Sequence, residues 1–178
     1  MSEITQVLRL EHETILFVMK ILDKMVQTKA AESTETLVHC TELVKFLHLF
    51  AEKSHHVKET YLIEALNDGG FSNDENSIGA IQREHEDGHM LLIQMSNALE
   101  SKDANKFYAV SVQYIALLSN SIVKEGSTLY QLADQALDED TQDELLEKFL
   151  ELEKAIIGRD LHRNMHDMIS TWSGAFGV

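Results

Sequence analysis

The sequence predicts an all-α protein, an up-down-up-down four-helix bundle with an additional C-terminal helix. Apolar residues recur at helical spacing, and no segment alternates apolar and polar residues with the period of a β-strand. The 178 residues also contain no proline. Because proline costs about 3 kcal/mol inside a helix, its absence favours long uninterrupted helices. Short loops between long helices make consecutive helices antiparallel neighbours.

Breaks in the apolar pattern define the first two helices. The first is predicted from about Ile4 to Thr28, where a polar stretch over 29–32 interrupts it. Ser33 or Thr34 can cap the second helix, because a hydroxyl can accept a hydrogen bond from an unpaired N–H of the first turn. Gly69-Gly70, which follows Asn67-Asp68, is expected to terminate that helix.

Polar breaks also separate the later helices. The third helix is predicted to start near Asn73 or Asp74, and a turn at 101–103 leads into the fourth. The acidic residues 138–140 with Thr141 mark the next boundary. A fifth helix, about 141–172, is expected to be interrupted at Gly158, and the tail 173–178 is expected to fray. The chain is thus predicted to form one domain over 1–178, with the bundle over about 4–137.

Charge and composition exclude several classes of protein. Fifteen Lys and Arg against 30 Asp and Glu give a net charge of −15, which argues against nucleic acid or an anionic membrane surface as a partner. No apolar run approaches the roughly 20 residues of a membrane span. The first residues lack the pattern of a secretory signal. Cys40 is the only cysteine, so no intramolecular disulfide can form, and we expect a cytoplasmic protein.

A short duplicated pattern relates the two halves of the bundle. Glu11-His12-Glu13 in the first helix matches Glu84-His85-Glu86 in the third. Val57-Lys58-Glu59 in the second matches Val123-Lys124-Glu125 in the fourth. The bundle is therefore interpreted as two similar helical hairpins related by an approximate two-fold axis, in which His55 corresponds to Ser121.

Six ionisable residues interrupt the apolar faces of these helices. Residues three, four or seven positions apart share a helix face, so the side chains are expected to point inward. At about 1.5 Å per residue, all six lie at a similar height in an antiparallel bundle, within a slab about two turns thick. They are His12, His55, Glu59, His85, His89 and Glu125.

This group predicts a metal site. Burying carboxylates without partners costs several kcal/mol each, and the inward stripes carry no Lys or Arg. A divalent cation pairs with carboxylate and neutral imidazole together. Nitrogen-rich ligation suits iron, zinc or manganese, whereas magnesium and calcium prefer oxygen alone. The alternative is a polar core in which each histidine is simply hydrogen-bonded.

The motifs resemble those of the hemerythrin-like (HHE cation-binding) family of four-helix-bundle, non-haem di-iron proteins. The matching segments, in the family's order, are 10–13, 55–59, 84–89 and 122–125 with 129–130. The resemblance implies that His12 and His55 bind one iron, that His85 and His89 bind the other, and that Glu59 and Glu125 bridge them. It also implies two iron ions as cofactor, with zinc or manganese as alternatives, and a small partner such as O2 or NO.

One position departs from the family pattern. A histidine is expected four or five residues before the last bridging carboxylate, where this chain has Ser121 and Asn120. Water could fill the vacancy and leave it reactive, another histidine could occupy it, or the second metal site could be weak. His48 is interpreted as a residue near the site and His56 as one outside it. The role of His162 and His166 stays open.

Three functions follow from this reading. The first is a di-iron protein that binds or senses O2 or a related oxidant such as NO or peroxide. The second is an iron-dependent oxidase or peroxidase-like enzyme that uses the position left open at Ser121. The third is a non-catalytic interaction module stabilised by a metal such as zinc. The sequence identifies no organic substrate, no nucleophile with a base beside it and no protein partner.

Overall fold

The fold is built from helices that begin and end close to the predicted boundaries. A computed structural model describes residues 2–71, 75–156 and 158–178. It describes the side chains of these residues except those of 75–77 and 158–163. Helix α1 spans Glu3–Gln27, and α2 spans Thr34–Leu47. A π-helical segment, His48–His55, connects α2 to α3, which spans His56–Asp68. Helix α4 spans Glu75–Glu100, so the predicted start at 73–74 lies outside the described residues.

The fourth long segment repeats this organisation. Helix α5, Ala104–Lys124, continues through a π-helical segment, Glu125–Leu129, into α6, Tyr130–Ala136. Helices α7, Glu139–Ile156, and α8, Gly158–Phe176, follow. Within the described residues there is no β-strand, so the predicted all-α class is confirmed. None of the described helices combines the length and the apolar character needed to cross a bilayer.

Side-chain caps fix several helix starts. Ser33 Oγ accepts a hydrogen bond from the N–H of Glu35 at the start of α2, which confirms one of the two predicted caps. Asp103 Oδ1 accepts from the N–H of Lys106 at the start of α5. After α3, Gly70 adopts a φ of +76°, a left-handed conformation that glycine reaches without steric cost, so the predicted terminator is confirmed.

The prediction that the tail frays from Ser173 is wrong. Helix α8 continues to Phe176 because its apolar face is anchored against α2. The fully buried Trp172 meets Phe46 edge to face at 5.7 Å between ring centroids, and the Phe176 ring meets His39 in the same way at 6.1 Å. Buried aromatic contacts of this size outweigh the fraying of a terminal turn.

The buried apolar residues form two clusters, one towards each end of the long helices. One contains Ile15, Ala51, Leu92 and Ile122, and the other contains Leu8, Leu62, Ile81 and Leu129. Each long helical segment contributes residues to both clusters. The residues that lie between these two contributions along a segment are therefore at the level that separates the clusters. That level is where the ionisable residues of the sequence motifs are found.

Candidate metal centre

Four helical segments supply a buried layer of imidazole and carboxylate groups between the two apolar clusters. Because the residues at this level come from four helices at corresponding heights, their side chains meet near the bundle axis. The members that the structure brings together are His12 from α1, His55 and Glu59 around the start of α3, His85 from α4 and Glu125 after α5.

The two carboxylates are each shared between the same two imidazoles. His12 Nε2 lies 3.7 Å from Glu59 Oε1 and 3.0 Å from Glu125 Oε2. His85 Nε2 lies 3.2 Å from Glu59 Oε2 and 2.9 Å from Glu125 Oε1. Each carboxylate therefore presents one oxygen to His12 and the other to His85. This is the arrangement that a bridging carboxylate requires.

The shared carboxylates determine the charge state of this layer. Burial alone would lower the pKa of His12, but hydrogen bonds to Glu125 and Glu59 raise it to about 9. The same balance raises the pKa of His85 to about 9. Burial would raise the pKa of Glu59, but the neighbouring histidines hold it well below its usual range. Without a cation, two protons on imidazoles thus balance two ionised carboxylates.

His55 is held in the orientation that a metal ligand needs. Its Nδ1–H donates to Glu11 Oε2 at 2.8 Å, and its Nε2 is turned towards Glu59 Oε1, 3.6 Å away. Nε2 of His55 and Oε2 of Glu59 are both buried and have no hydrogen-bond partner. A histidine that donates its other N–H to a carboxylate is the usual support of a metal-binding imidazole. These two orphaned atoms fit a cation that both could bind.

A buried lysine links the layer to the C-terminal helices. Lys58 is fully buried and its Nζ donates to Glu11, the carboxylate that orients His55, and also to Glu153 of α7. Helix α7 also packs on α1 and α3. Hydrogen bonds thus connect Glu153 through Lys58 and Glu11 to His55, so α7 helps to fix the orientation of a candidate ligand.

Tyr130 closes the layer on the side of α6. Its hydroxyl donates to Glu59 Oε1 at 2.6 Å and lies 2.9 Å from His12 Nε2. The Tyr130 ring stacks on the His12 ring with 5.2 Å between centroids. Burial and the negative charge of Glu59 raise the pKa of Tyr130 well above its usual value, so its proton stays in place.

Ser121 occupies the place that corresponds to His55 in the internal repeat. Its Oγ lies 2.9 Å from both Glu125 Oε1 and Glu84 Oε2, so the hydroxyl donates to one of these carboxylates. Lys124 donates to the other oxygen of Glu84. Glu84 and Lys124 therefore support Ser121 as Glu11 and Lys58 support His55. The internal repeat therefore includes the supporting glutamate and lysine, and its two halves differ at the residue that they support, which is His55 in one half and Ser121 in the other.

The interpretation of His56 as a residue outside the cluster is wrong. Its ring stacks on His85 with 3.9 Å between centroids and 7° between planes. The quarter turn from His55 carries His56 towards α4 and not to solvent. Burial, and then the charge of His85, lower the pKa of His56 to about 3, so its ring is neutral. Ligand atoms of His56, Glu59 and His85 all lie within 4.8 Å of one another.

His89 is the one predicted ligand that the structure does not bring to the buried layer. Its Nδ1 lies 3.0 Å from Glu52 Oε2, and His48 Nδ1 lies 2.7 Å from the same oxygen. The side chain of His89 is 47% exposed, whereas that of Glu59 is fully buried. The predicted inward face of α4 therefore includes His85 but places His89 at its edge.

Several groups of the layer and its surroundings were not anticipated from the sequence. Glu11 and Lys58 belong to the duplicated motifs, so the repeat itself carried a signal for them. Tyr130 lies in the segment 129–130 that matches the family motifs, whereas Glu52 had no signal of either kind. Glu52 lies in the π-helical segment, where the rotation per residue is smaller than in an α-helix, and π-helical turns are frequent at functional sites.

Cys40, His39 and His166 lie away from the layer. Cys40 is fully buried in one of the two apolar clusters. His39 pairs with Glu42 at 3.3 Å on α2. The side chain of His166 is 87% exposed, and that of His162 lies outside the described residues.

The donor set favours a transition-metal ion. Ligand atoms of His12, His55, Glu59 and Glu125, all buried, lie within 4.8 Å of one another. Neutral imidazole and carboxylate are ligands for iron, zinc and manganese, whereas calcium and magnesium take oxygen ligands. The buried layer therefore has the chemistry of a cation-binding centre.

Comparison with known proteins defines the class. The model of the hemerythrin HHE cation-binding domain matches residues 3–133, well over half of the chain. The chain therefore belongs to the hemerythrin HHE cation-binding family, as its motifs predicted. No curated protein and no solved structure matches it significantly.

Proposed function

We propose that the buried layer holds two iron ions and that the protein binds or senses O2, or a related small oxidant such as NO or peroxide. The observation that carries the proposal is the sharing of Glu59 and Glu125 between His12 and His85, beside the orphaned Nε2 of His55. When bound, iron would supply the reversible electron exchange that such ligands require.

The ligands divide between the two halves of the repeat. His12 and His55 would bind one ion and His85 the other, with Glu59 and Glu125 as bridges. His56 joins the His85 side, because its neutral ring stacks there. His89, which the resemblance assigns beside His85, is held by Glu52 instead.

Residues around the buried layer orient the candidate ligands and leave a route to them from solvent. Glu11 and Lys58 fix the orientation of His55. Tyr130 donates to Glu59 and so fixes the direction of that carboxylate. A groove lined by His56, His85, Val57 and Met90, among others, gives a small molecule a route to the layer from solvent.

Metal content and an optical spectrum test this function. The protein is purified without added metal, analysed for metals per chain, then loaded anaerobically with ferrous iron and exposed to O2. We expect at least two irons per chain and a new charge-transfer absorption that His12→Ala abolishes. One zinc, or no metal, would contradict the proposal and favour the metal-stabilised interaction module.

A second candidate function, an iron-dependent oxidase or peroxidase-like enzyme, is favoured by the surroundings of Ser121. Glu84 and Lys124 are placed to support a histidine that this chain lacks, so one position on the His85 side stays open. Ser121→His should then stabilise the oxygenated form and lower any turnover of peroxide. If the substitution alters neither, the open position has no role.

The finer architecture and location belong to the same proposal. The four long segments, α1, α2–α3, α4 and α5–α6, form an up-down-up-down bundle that α7 and α8 cover within one domain. The contacts of α1 with α2, α5, α7 and α8 support this order. We assign the protein to the cytoplasm, where the lone buried thiol of Cys40 stays reduced.

A further inference from the structure

A second group of metal-binding side chains lies outside the buried layer. It combines His48 and Glu52 of the first π-helical segment with His89 of α4. One carboxylate oxygen, Glu52 Oε2, lies 2.7 Å from His48 Nδ1 and 3.0 Å from His89 Nδ1. The two rings face each other at 6.2 Å between centroids with 32° between planes. Two neighbouring segments thus converge on one carboxylate.

The carboxylate of Glu52 has an unsatisfied atom. Its side chain is only 7% exposed, and its Oε1 is buried with no hydrogen-bond partner. Leaving a buried carboxylate oxygen unpaired costs free energy, so the site has a reason to take up a cation. The nearby hydroxyl of Tyr114 is buried and also lacks a partner. Lys53 and Glu86 line the adjoining groove, and their opposite charges offset each other there.

We propose that His48, Glu52 and His89 form a second, mononuclear site for a divalent first-row transition ion such as Zn²⁺ or Fe²⁺. Two imidazoles and one carboxylate on one side of an ion leave further positions open to solvent ligands. The side chains of His48 and His89 are each 47% exposed, so the ion can enter from solvent. This inference is independent of the di-iron proposal, because none of its three ligands belongs to the buried layer.

Zinc titration of the full chain against a competing chromophoric chelator tests the site. His48→Ala should lower the zinc bound by one equivalent per chain and leave the buried centre loaded. His12→Ala should weaken the buried centre and keep the outer equivalent. His39→Ala is the matched control, because His39 also pairs with a glutamate on its own helix but belongs to neither group. It should bind zinc as the parent protein does.

Two outcomes would overturn the inference. If His48→Ala binds as much zinc as the parent with the same affinity, the outer site does not exist. If His89→Ala abolishes the absorption of the iron-loaded buried centre and His48→Ala binds zinc normally, His89 is a ligand of the buried centre instead. A third outcome separates the two proposals. If the parent protein binds a single equivalent of zinc and His48→Ala binds none, the outer site is supported and the di-iron proposal is refuted.

Discussion

Loading the buried centre with metal should release about two protons at pH 7.5. Without a cation, His12 and His85 each have a pKa of about 9, because they share the carboxylates of Glu59 and Glu125. At pH 7.5 both imidazoles are therefore almost fully protonated. An imidazole must lose that proton to bind a metal, so each ligand contributes about one proton. The apparent affinity should then rise about 100-fold per pH unit from pH 7 and level off above pH 9.

Calorimetric titration with Zn²⁺ in two buffers of different ionisation enthalpy measures this release. The His48→Ala background removes the outer site, so the heat reports the buried centre alone. His12→Ala in that background should release about one proton fewer. A release that does not differ from zero in the parent would refute the ion-pair account of the metal-free layer.

Two further predictions concern stability. Lys58→Met leaves the buried carboxylate of Glu11 without its cation and should lower the free energy of unfolding in denaturant by about 3–5 kcal/mol. The matched variant Lys124→Met, at a half-exposed ion pair, should lower it by about 1 kcal/mol or less. Equal losses of stability in the two variants would contradict the role of Lys58. Because folding raises the pKa of His12 and His85 from 6.5 to about 9, their contribution is complete below pH 6.5 and is lost as the pH rises through 9, by about 3 kcal/mol each. Unfolding of metal-free protein from pH 6.5 to 9.5 should show that decline, and a flat profile would exclude it.

The sequence carried enough information for the helices and the core of the centre. Helical periodicity, Gly69-Gly70 and the polar breaks predicted where helices end, because these are local properties of the chain. The inward faces and heights of His12, Glu59 and Glu125 followed from regular helix geometry.

What could not be predicted depends on departures from that geometry or on contacts between distant segments. The π-helical segment over 48–55 changes the rotation per residue, so Glu52 meets His89 although a regular helix gave no reason to expect it. Burial of Lys58 depends on Glu153, 95 residues later in the chain, and no local pattern reports such a contact.

Anomalous diffraction from crystals of the metal-loaded protein tests the central claim most directly. Data on either side of the iron absorption edge locate each ion without reference to its ligands. The account predicts two iron peaks between the carboxylates of Glu59 and Glu125, near the Nε2 atoms of His12, His55 and His85. Fully loaded crystals with no peak beside those two carboxylates would contradict it.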